Sequence, residues 1–179
     1  MSTFVTVGNA RQPFARLLDA VSRHVARLPQ PVVVQYGHTP FKDEQCECVQ
    51  FVGMEDFIHH IKTAELLIMH GGLGSAINAL QAHKVPIVMS RRVEYCEHVN
   101  NHQIEFVQLL AKDGKIVPIE SEVELLPAIE RVRTLQQRPD SAPSLMDSPV
   151  GEPKLVQLVR LILNNHASVI GGKRITPES

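Results

Sequence analysis

The sequence predicts an α/β protein, a parallel sheet flanked by helices. Three observations carry that expectation. Short aliphatic runs alternate with stretches of helical periodicity, most of the runs lack strict polar–apolar alternation, and glycines stand where several of them end. Strands buried on both faces have that unalternating pattern, and their regular exchange with helices is the mark of a parallel sheet. The chain has 179 residues, 44% of them hydrophobic and 21% charged, which suits one sizeable core at roughly 150 residues per domain.

Thr3 to Val7 is the first strand, closed by Gly8, and Phe14, Leu17, Leu18, Val21, Val25 and Leu28 then recur at helical spacing. Pro31 to Gln35, closed by Gly37, and Cys48 to Val52 follow as strands. A helix from Met54 to Thr63 leads into the apolar strand Glu65 to Met69, and a helix from Leu73 to His83 leads into Val85 to Met89. A polar loop runs through Asn101, after which Ile104, Val107, Leu110 and Ala111 mark a helix that Gly114 stops. Lys115 to Pro118 is the last strand and Glu122 to Arg133 the next helix. Right-handed crossovers between such units give a Rossmann-like architecture over residues 1–135. Residues 136–153, rich in Pro and Ser, read as a flexible linker. Residues 154–165 read as a strongly apolar helix that must dock, on its own sheet or on a partner, and 166–179 as a tail.

Composition excludes several classes of function. Eighteen basic and nineteen acidic residues leave a net charge of -1, so no global basic field exists to hold nucleic acid. Without Trp and with 4% aromatic residues, a base-stacking platform is not expected. Cys46, Cys48 and Cys96 are too few and too odd for a disulfide framework, which fits a reducing cytoplasm. No stretch approaches the ~20 apolar residues that span a bilayer, so the chain is expected to be soluble by itself.

The most informative motif is His70-Gly71-Gly72-Leu73-Gly74-Ser75, directly after an apolar strand and opening a helix. Strand ends of this kind line the ligand crevice of an α/β sheet, and a helix N-terminus there offers free N–H groups to an anion such as a diphosphate. Gly71, Gly72 and Gly74 let the backbone approach closely, and Ser75 adds a hydroxyl; the plainer reading is a glycine turn needed for tight packing. The motif is neither a P-loop nor a dinucleotide fingerprint. A second polar stretch, Ser90 to Gln103, contains Arg91, Arg92, Glu97, His98, Asn101, His102 and Gln103. It has no evident core to serve, and it supplies donors for phosphate and acceptors for sugar hydroxyls. His98 and His102 stand one helical turn apart, but Val99 replaces the Glu of a His-Glu-x-x-His site and Cys46-x-Cys48 is short for thiolate ligands. No metal is expected. His59 and His60 read as surface residues, and His83 as a favourable charge at its helix's C-terminus.

From Phe4 to about Val117 the chain resembles the small donor-binding subunits of two-component glycosyltransferases, which look like the C-terminal half of family 28 enzymes. The resemblance is carried by Phe4-Val5-Thr6-Val7-Gly8 with Pro13-Phe14 and Leu17, by His70 to Ser75, by Lys84-Val85-Pro86, and by Arg91-Arg92 through Glu97-His98-Val99-Asn100-Asn101-His102-Gln103. Eukaryotic members complete the second N-acetylglucosamine transfer onto a dolichol-linked sugar, and bacterial members act in exopolysaccharide assembly on polyprenyl-linked acceptors. The paired arginines look more like the bacterial branch. The resemblance implies the donor half of a GT-B fold that moves a hexose or hexuronic acid from a UDP-sugar to a polyprenyl-diphosphate-linked saccharide without a metal. It implies a membrane-anchored acceptor-binding partner subunit, and therefore a cytoplasmic protein held peripherally at the inner face of the membrane. The 154–165 helix then becomes a docking element.

By the same resemblance Gly8 faces the cleft, and His70, Gly72, Gly74 and Ser75 surround the diphosphate. Met54 lies near the uracil, and Asn101, His102 and Gln103 meet the sugar. Where eukaryotic members carry a ribose-binding Glu, this chain has Asn78, which can hydrogen-bond a diol only without charge assistance. The catalytic base is unassigned, with His98 and His102 as candidates. A nucleotide-sugar-binding regulatory or scaffold subunit is the alternative function.

Overall fold

The computed structural model describes residues 2–99 and 101–137. The expected linker, apolar helix and tail at 136–153, 154–165 and 166–179 lie, but for the first two linker residues, outside the described residues. Six parallel strands form one sheet: β1 (Thr3–Thr6), β2 (Val32–Gln35), β3 (Glu47–Val49), β4 (Leu66–His70), β5 (Ile87–Met89) and β6 (Val117–Ile119), in the order β3-β2-β1-β4-β5-β6. Among the described residues four α-helices connect them, α1 (Ala15–His24), α2 (Met54–Thr63), α3 (Leu73–Gln81) and α4 (His102–Lys112), and α5 (Leu125–Gln136) follows β6. This is the Rossmann-like α/β sheet that the alternating pattern predicts.

The unalternating strands are explained by burial on both sides. Val5 and Val7, Val32 and Val34, Ile68, Ile87 and Met89, and Val117 and Ile119 turn to one face, where Leu17, Leu18 and Val21 of α1 and Ala128, Ile129 and Val132 of α5 close the core. Phe4 turns to the other face, where its ring meets Phe57 edge-on at 5.7 Å and stacks on His60 at 4.8 Å. His60 is thus half-buried against the sheet rather than a surface residue, while His59 is exposed as expected. Each fully buried Leu, Ile or Phe contributes on the order of 1.5–3 kcal/mol, so the two-sided core dominates the fold's stability.

Several boundaries differ from the expectation, each for a local reason. The edge strand β3 ends at Val49, because Phe51 and Val52 leave the ladder for the loop before α2; Gln50 still accepts the Gly37 amide at 2.9 Å. As an edge strand β3 is only half-buried. The first helix tightens into a 3-10 turn at Val25–Arg27 before Leu28. The last begins with a 3-10 turn at Glu122–Glu124, where Glu124 accepts from Ser121 Oγ and from the Glu120 amide. Pro127 falls in the first turn of α5, where a missing N–H costs nothing. The third helix stops at Gln81, and His83 takes a left-handed φ of 55° in the turn that follows.

The start of α1 depends on a single buried hydroxyl. Thr39, 2% exposed, accepts the Phe14 amide at 2.8 Å. Thr39→Val keeps the shape and orphans that N–H, so we expect a loss of about 1–3 kcal/mol, read as a lower urea midpoint with an unchanged m-value.

Candidate functional site

The strand order turns between β1 and β4, and in an open parallel sheet the crevice at that point, outside the carboxyl ends of the strands, is the binding position. A cleft of about 300 Å³ opens there. Gly8 and Asn9 follow β1, Gln35 ends β2, His70 ends β4, Val52, Met54 and Phe57 come from the β3–α2 connection and α2, and Gly72, Gly74, Ser75 and Asn78 come from the start of α3. Of the residues singled out in the sequence, the structure brings Gly8, Met54, His70, Gly72, Gly74, Ser75 and Asn78 together on this cleft.

His70 shapes the centre. A Cβ on Gly8 would lie 2.4 Å from its Cε1 and one on Gly72 would lie 2.2 Å from its Nε2, so both positions require glycine for the ring to fit between them. Gly8 also has a φ of 72° that side chains rarely adopt. The ring's Nδ1 is buried without a hydrogen-bond partner. Burial and then the Arg91 charge push the imidazole down to about 4, with the Thr6 backbone opposing and His98 adding to the fall. His70 is therefore neutral at physiological pH.

The end of the cleft suited to an anion is the start of α3. Its first amides have no intrahelical partner, the helix dipole places positive charge there, and Ser75 adds its hydroxyl. A Cβ on Gly74 would meet nothing within 4 Å, so the space above that residue is open. Asn78 donates Nδ2 to the Gly74 carbonyl at 2.8 Å, which leaves its Oδ1 as acceptor. Gly71 has a different task from that expected. Its amide donates to Met89 O at 3.1 Å, and an added Cβ would lie 2.9 Å from Val107, so this glycine permits close packing of α4 behind the cleft.

The stretch from Ser90 to Gln103 departs most from expectation, because part of it does serve a core. Arg91 is 0% exposed and Glu97 5%. Arg91 donates Nη1 to Gln12 O at 2.7 Å and to Glu97 O at 3.0 Å, and Nη2 to Val7 O at 2.8 Å, and its guanidinium lies 4.7 Å from the Phe14 ring centroid. Glu97 receives a bidentate pair from Arg16 at 3.1 and 2.8 Å, and the Arg92 amide at 3.0 Å. Arg92 pairs with Glu94 and Glu120, each at 2.9 Å. Neither Arg91 nor Glu97 lines the cleft as a phosphate or sugar ligand; their polar atoms are spent inside the protein. Gln103 Oε1 accepts the Arg91 amide at 3.2 Å, and Asn101 Oδ1 accepts the Val93 amide at 3.2 Å. His98 is half-buried and close enough to His70 to influence it, and His102 opens α4.

Asn9, Gln35, Val52 and Phe57 were not singled out as site residues. Gln35 accepts from Thr6 Oγ1 at 2.5 Å and donates to Asn9 Oδ1 at 3.2 Å, forming a polar floor. Its position was a usable signal, since it is the one polar residue ending the Val32–Val33–Val34 run, beside Gly8 at the adjacent strand end. None of the described residues lining the cleft carries a formal charge when His70 is neutral. Among the described residues no cluster of three His, Cys, Asp or Glu side chains could hold a metal, and no helix is long and apolar enough to cross a membrane.

A parallel sheet with its crevice at the switch point, and a glycine-rich helix start at that crevice, define a Rossmann-like α/β domain of the ligand-binding type. The model of the glycosyltransferase family 28 C-terminal domain matches residues 2–148, and the chain belongs to that family. No curated protein sequence matches it. Among solved structures, the fold is that of the corresponding domain of GT-B glycosyltransferases. The glycotransferase of kitacinnamycin has a TM-score of 0.60 and 16% identity, over 92% of this chain and 39% of that one. The glycosyltransferase SnogD from Streptomyces nogalater has a TM-score of 0.57 and 17% identity, over 91% and 43%. CalG4, the calicheamicin glycosyltransferase, has a TM-score of 0.55 and 17% identity, over 98% and 43%. The chain thus spans about two fifths of the length of these enzymes.

The depressed His70 gives a pH test. The unfolded chain takes up this proton near pH 6.5 and the folded chain only near 4, so the unfolded state binds more protons in between and stability falls as pH drops through that window. The shift corresponds to up to about 3 kcal/mol. Urea unfolding at about pH 7 and pH 4.5 should show this loss in the wild type and a flatter profile in His70→Gln.

Proposed function

We propose that this domain is the donor-binding part of a glycosyltransferase that moves a hexose or hexuronic acid from a UDP-sugar to a polyprenyl-diphosphate-linked saccharide in exopolysaccharide assembly. The observation that carries the donor reading is the open space over Gly74 at the start of α3, next to Ser75 and the His70 ring. The bond between the anomeric carbon and the β-phosphate oxygen breaks, and UDP leaves with the electron pair. A bond to the acceptor oxygen forms, and the acceptor proton passes to a base. The charge on the departing diphosphate is met by the α3 amides and the Ser75 hydroxyl, dipoles already aimed before reaction. Asn78 Oδ1 can accept from a ribose hydroxyl, and the exposed Met54 and the half-buried Phe57 give the nucleobase an apolar rest.

The acceptor wall and the base belong, in this reading, to a membrane-anchored partner subunit, which brings the complex to the inner face of the membrane. The family resemblance supports this. His98 and His102 stay as base candidates on this side. A non-catalytic nucleotide-sugar-binding subunit is the second reading. Asn78 favours it, because a neutral amide replaces the carboxylate at the ribose position and its Nδ2 is already engaged.

Gly74→Ala separates ligand contact from folding. Nothing within 4 Å resists the methyl group, and Ala in a helix is favoured over Gly by about 0.5–1 kcal/mol. Melting temperature should hold or rise while UDP affinity by calorimetry falls about tenfold, the effect of losing ~1.4 kcal/mol of contact. Unchanged UDP affinity would refute the site. Transfer to a polyprenyl-linked acceptor should appear only on co-expression with the acceptor subunit. Full turnover by the isolated chain rules out the partner; UDP binding without any transfer by the pair favours the second reading.

A further inference from the structure

We propose that Arg91 is a positioning residue for the donor cleft: its guanidinium fixes the β1–α1 loop so that Gly8 closes on the His70 ring. This rests on the reading of the cleft as a nucleotide site, but its core is geometric. Arg91 bonds the loop at both ends, through Val7 O, one residue before Gly8, and Gln12 O, two residues before Phe14. The same fork holds Glu97 O, so the loop after β5 and the loop after β1 are joined through one buried cation. The Gly8 wall touches His70 so closely that no Cβ fits, hence any slack in the loop reaches the ring directly.

A lysine cannot reproduce this arrangement. Guanidinium presents a planar fork that reaches carbonyls on separate segments, whereas an ammonium is a compact point charge. Arg91 also stacks against Phe14, and its Nε is left without a partner in the interior. That is the arrangement of a group kept for its reach and its charge rather than for full hydrogen bonding.

The charge has a second effect on the same ring. The groups whose charge His70 feels are Arg91 and His98, both on the β5–α4 loop; β1 brings the Thr6 backbone, and Gly8 and Gly72 stand against the ring. Arg91 therefore opposes protonation of the imidazole from behind while it holds the wall in front.

The experiment uses the full chain and two variants, with Arg133→Ala, an exposed residue on α5 paired with Glu130, as control. His70 is followed without ligand by imidazole NMR across pH, and UDP binding is measured by calorimetry at neutral pH. In Arg91→Met the His70 midpoint should rise from its low value, with burial still holding it below the ordinary histidine range, and UDP affinity should fall about tenfold or more. In Arg91→Lys, with the charge kept and the fork lost, His70 should still titrate low while UDP affinity falls. Arg133→Ala should change neither. A folded Arg91→Met chain with wild-type UDP affinity, or with an unmoved His70 midpoint, overturns the assignment. Should Arg91→Met fail to fold, wild-type affinity in Arg91→Lys overturns it. Failure of the wild-type chain to bind UDP would refute the proposed function instead and leave the His70 titration as the test of Arg91.

Discussion

The rest of the site depends on a clamp of two arginines and a glutamate. The loop between β5 and α4 has little apolar material to hold it, since Val93, Tyr95 and Val99 are exposed. What fixes it is Arg16 gripping the buried Glu97 carboxylate with two donors, and Arg91 gripping carbonyls of both this loop and the one after β1. Arg16 extends the tie to Ser90 O at 2.8 Å and Glu120 O at 2.6 Å, joining the ends of β5 and β6. Removing one partner from a buried charged pair typically costs about 3–5 kcal/mol, because the other is left uncompensated. The clamp therefore dictates one arrangement of the loops, and bidentate guanidinium geometry makes that arrangement specific.

That rigidity matters because none of the described residues lining the cleft carries a formal charge when His70 is neutral. A cationic side chain can follow a phosphate that shifts by an ångström, since Coulomb attraction falls slowly with distance. Amide dipoles and a hydroxyl act only at short range and fixed angle. A ligand in the proposed site would need the start of α3 held in place, and the glycine–histidine–glycine sandwich of Gly8, His70 and Gly72 fixes that helix start sterically. Burial of His70 is what allows the ring to fill that gap without bringing in a charge.

The fold was largely legible in the sequence, because two-sided burial writes itself as unbroken runs such as Val32–Val33–Val34 and Leu66–Leu67–Ile68, and turns write themselves as Gly8 and Gly37. The glycine motif was legible for the same reason: the local chain determines what a helix start can offer. Other features were hidden by physics that is not local. Polar density between Ser90 and Gln103 is the same in a sequence whether the side chains face water or a buried network, and Arg91 meets Val7 across 84 positions while Arg16 meets Glu97 across 81. Phe51 and Val52 extend an aliphatic pattern beyond β3, yet they belong to the cleft loop, since an edge strand has no second neighbour to keep it in register.

Gly71 and Gly72 show how adjacent residues of one motif divide the work. Gly72 leaves room in front for the His70 ring, and Gly71 leaves room behind for Val107 and Gln103 of α4. Gln103 in turn accepts the Arg91 amide, so the helix packed behind the glycine motif is bonded to the loop that carries the clamp. The start of α3 and the arginine clamp are therefore one mechanical unit, coupled through two glycines and one glutamine. In the proposed donor site, where none of the described lining residues carries a formal charge, that coupling would convert distant ion pairs into the accuracy with which fixed dipoles meet leaving-group charge.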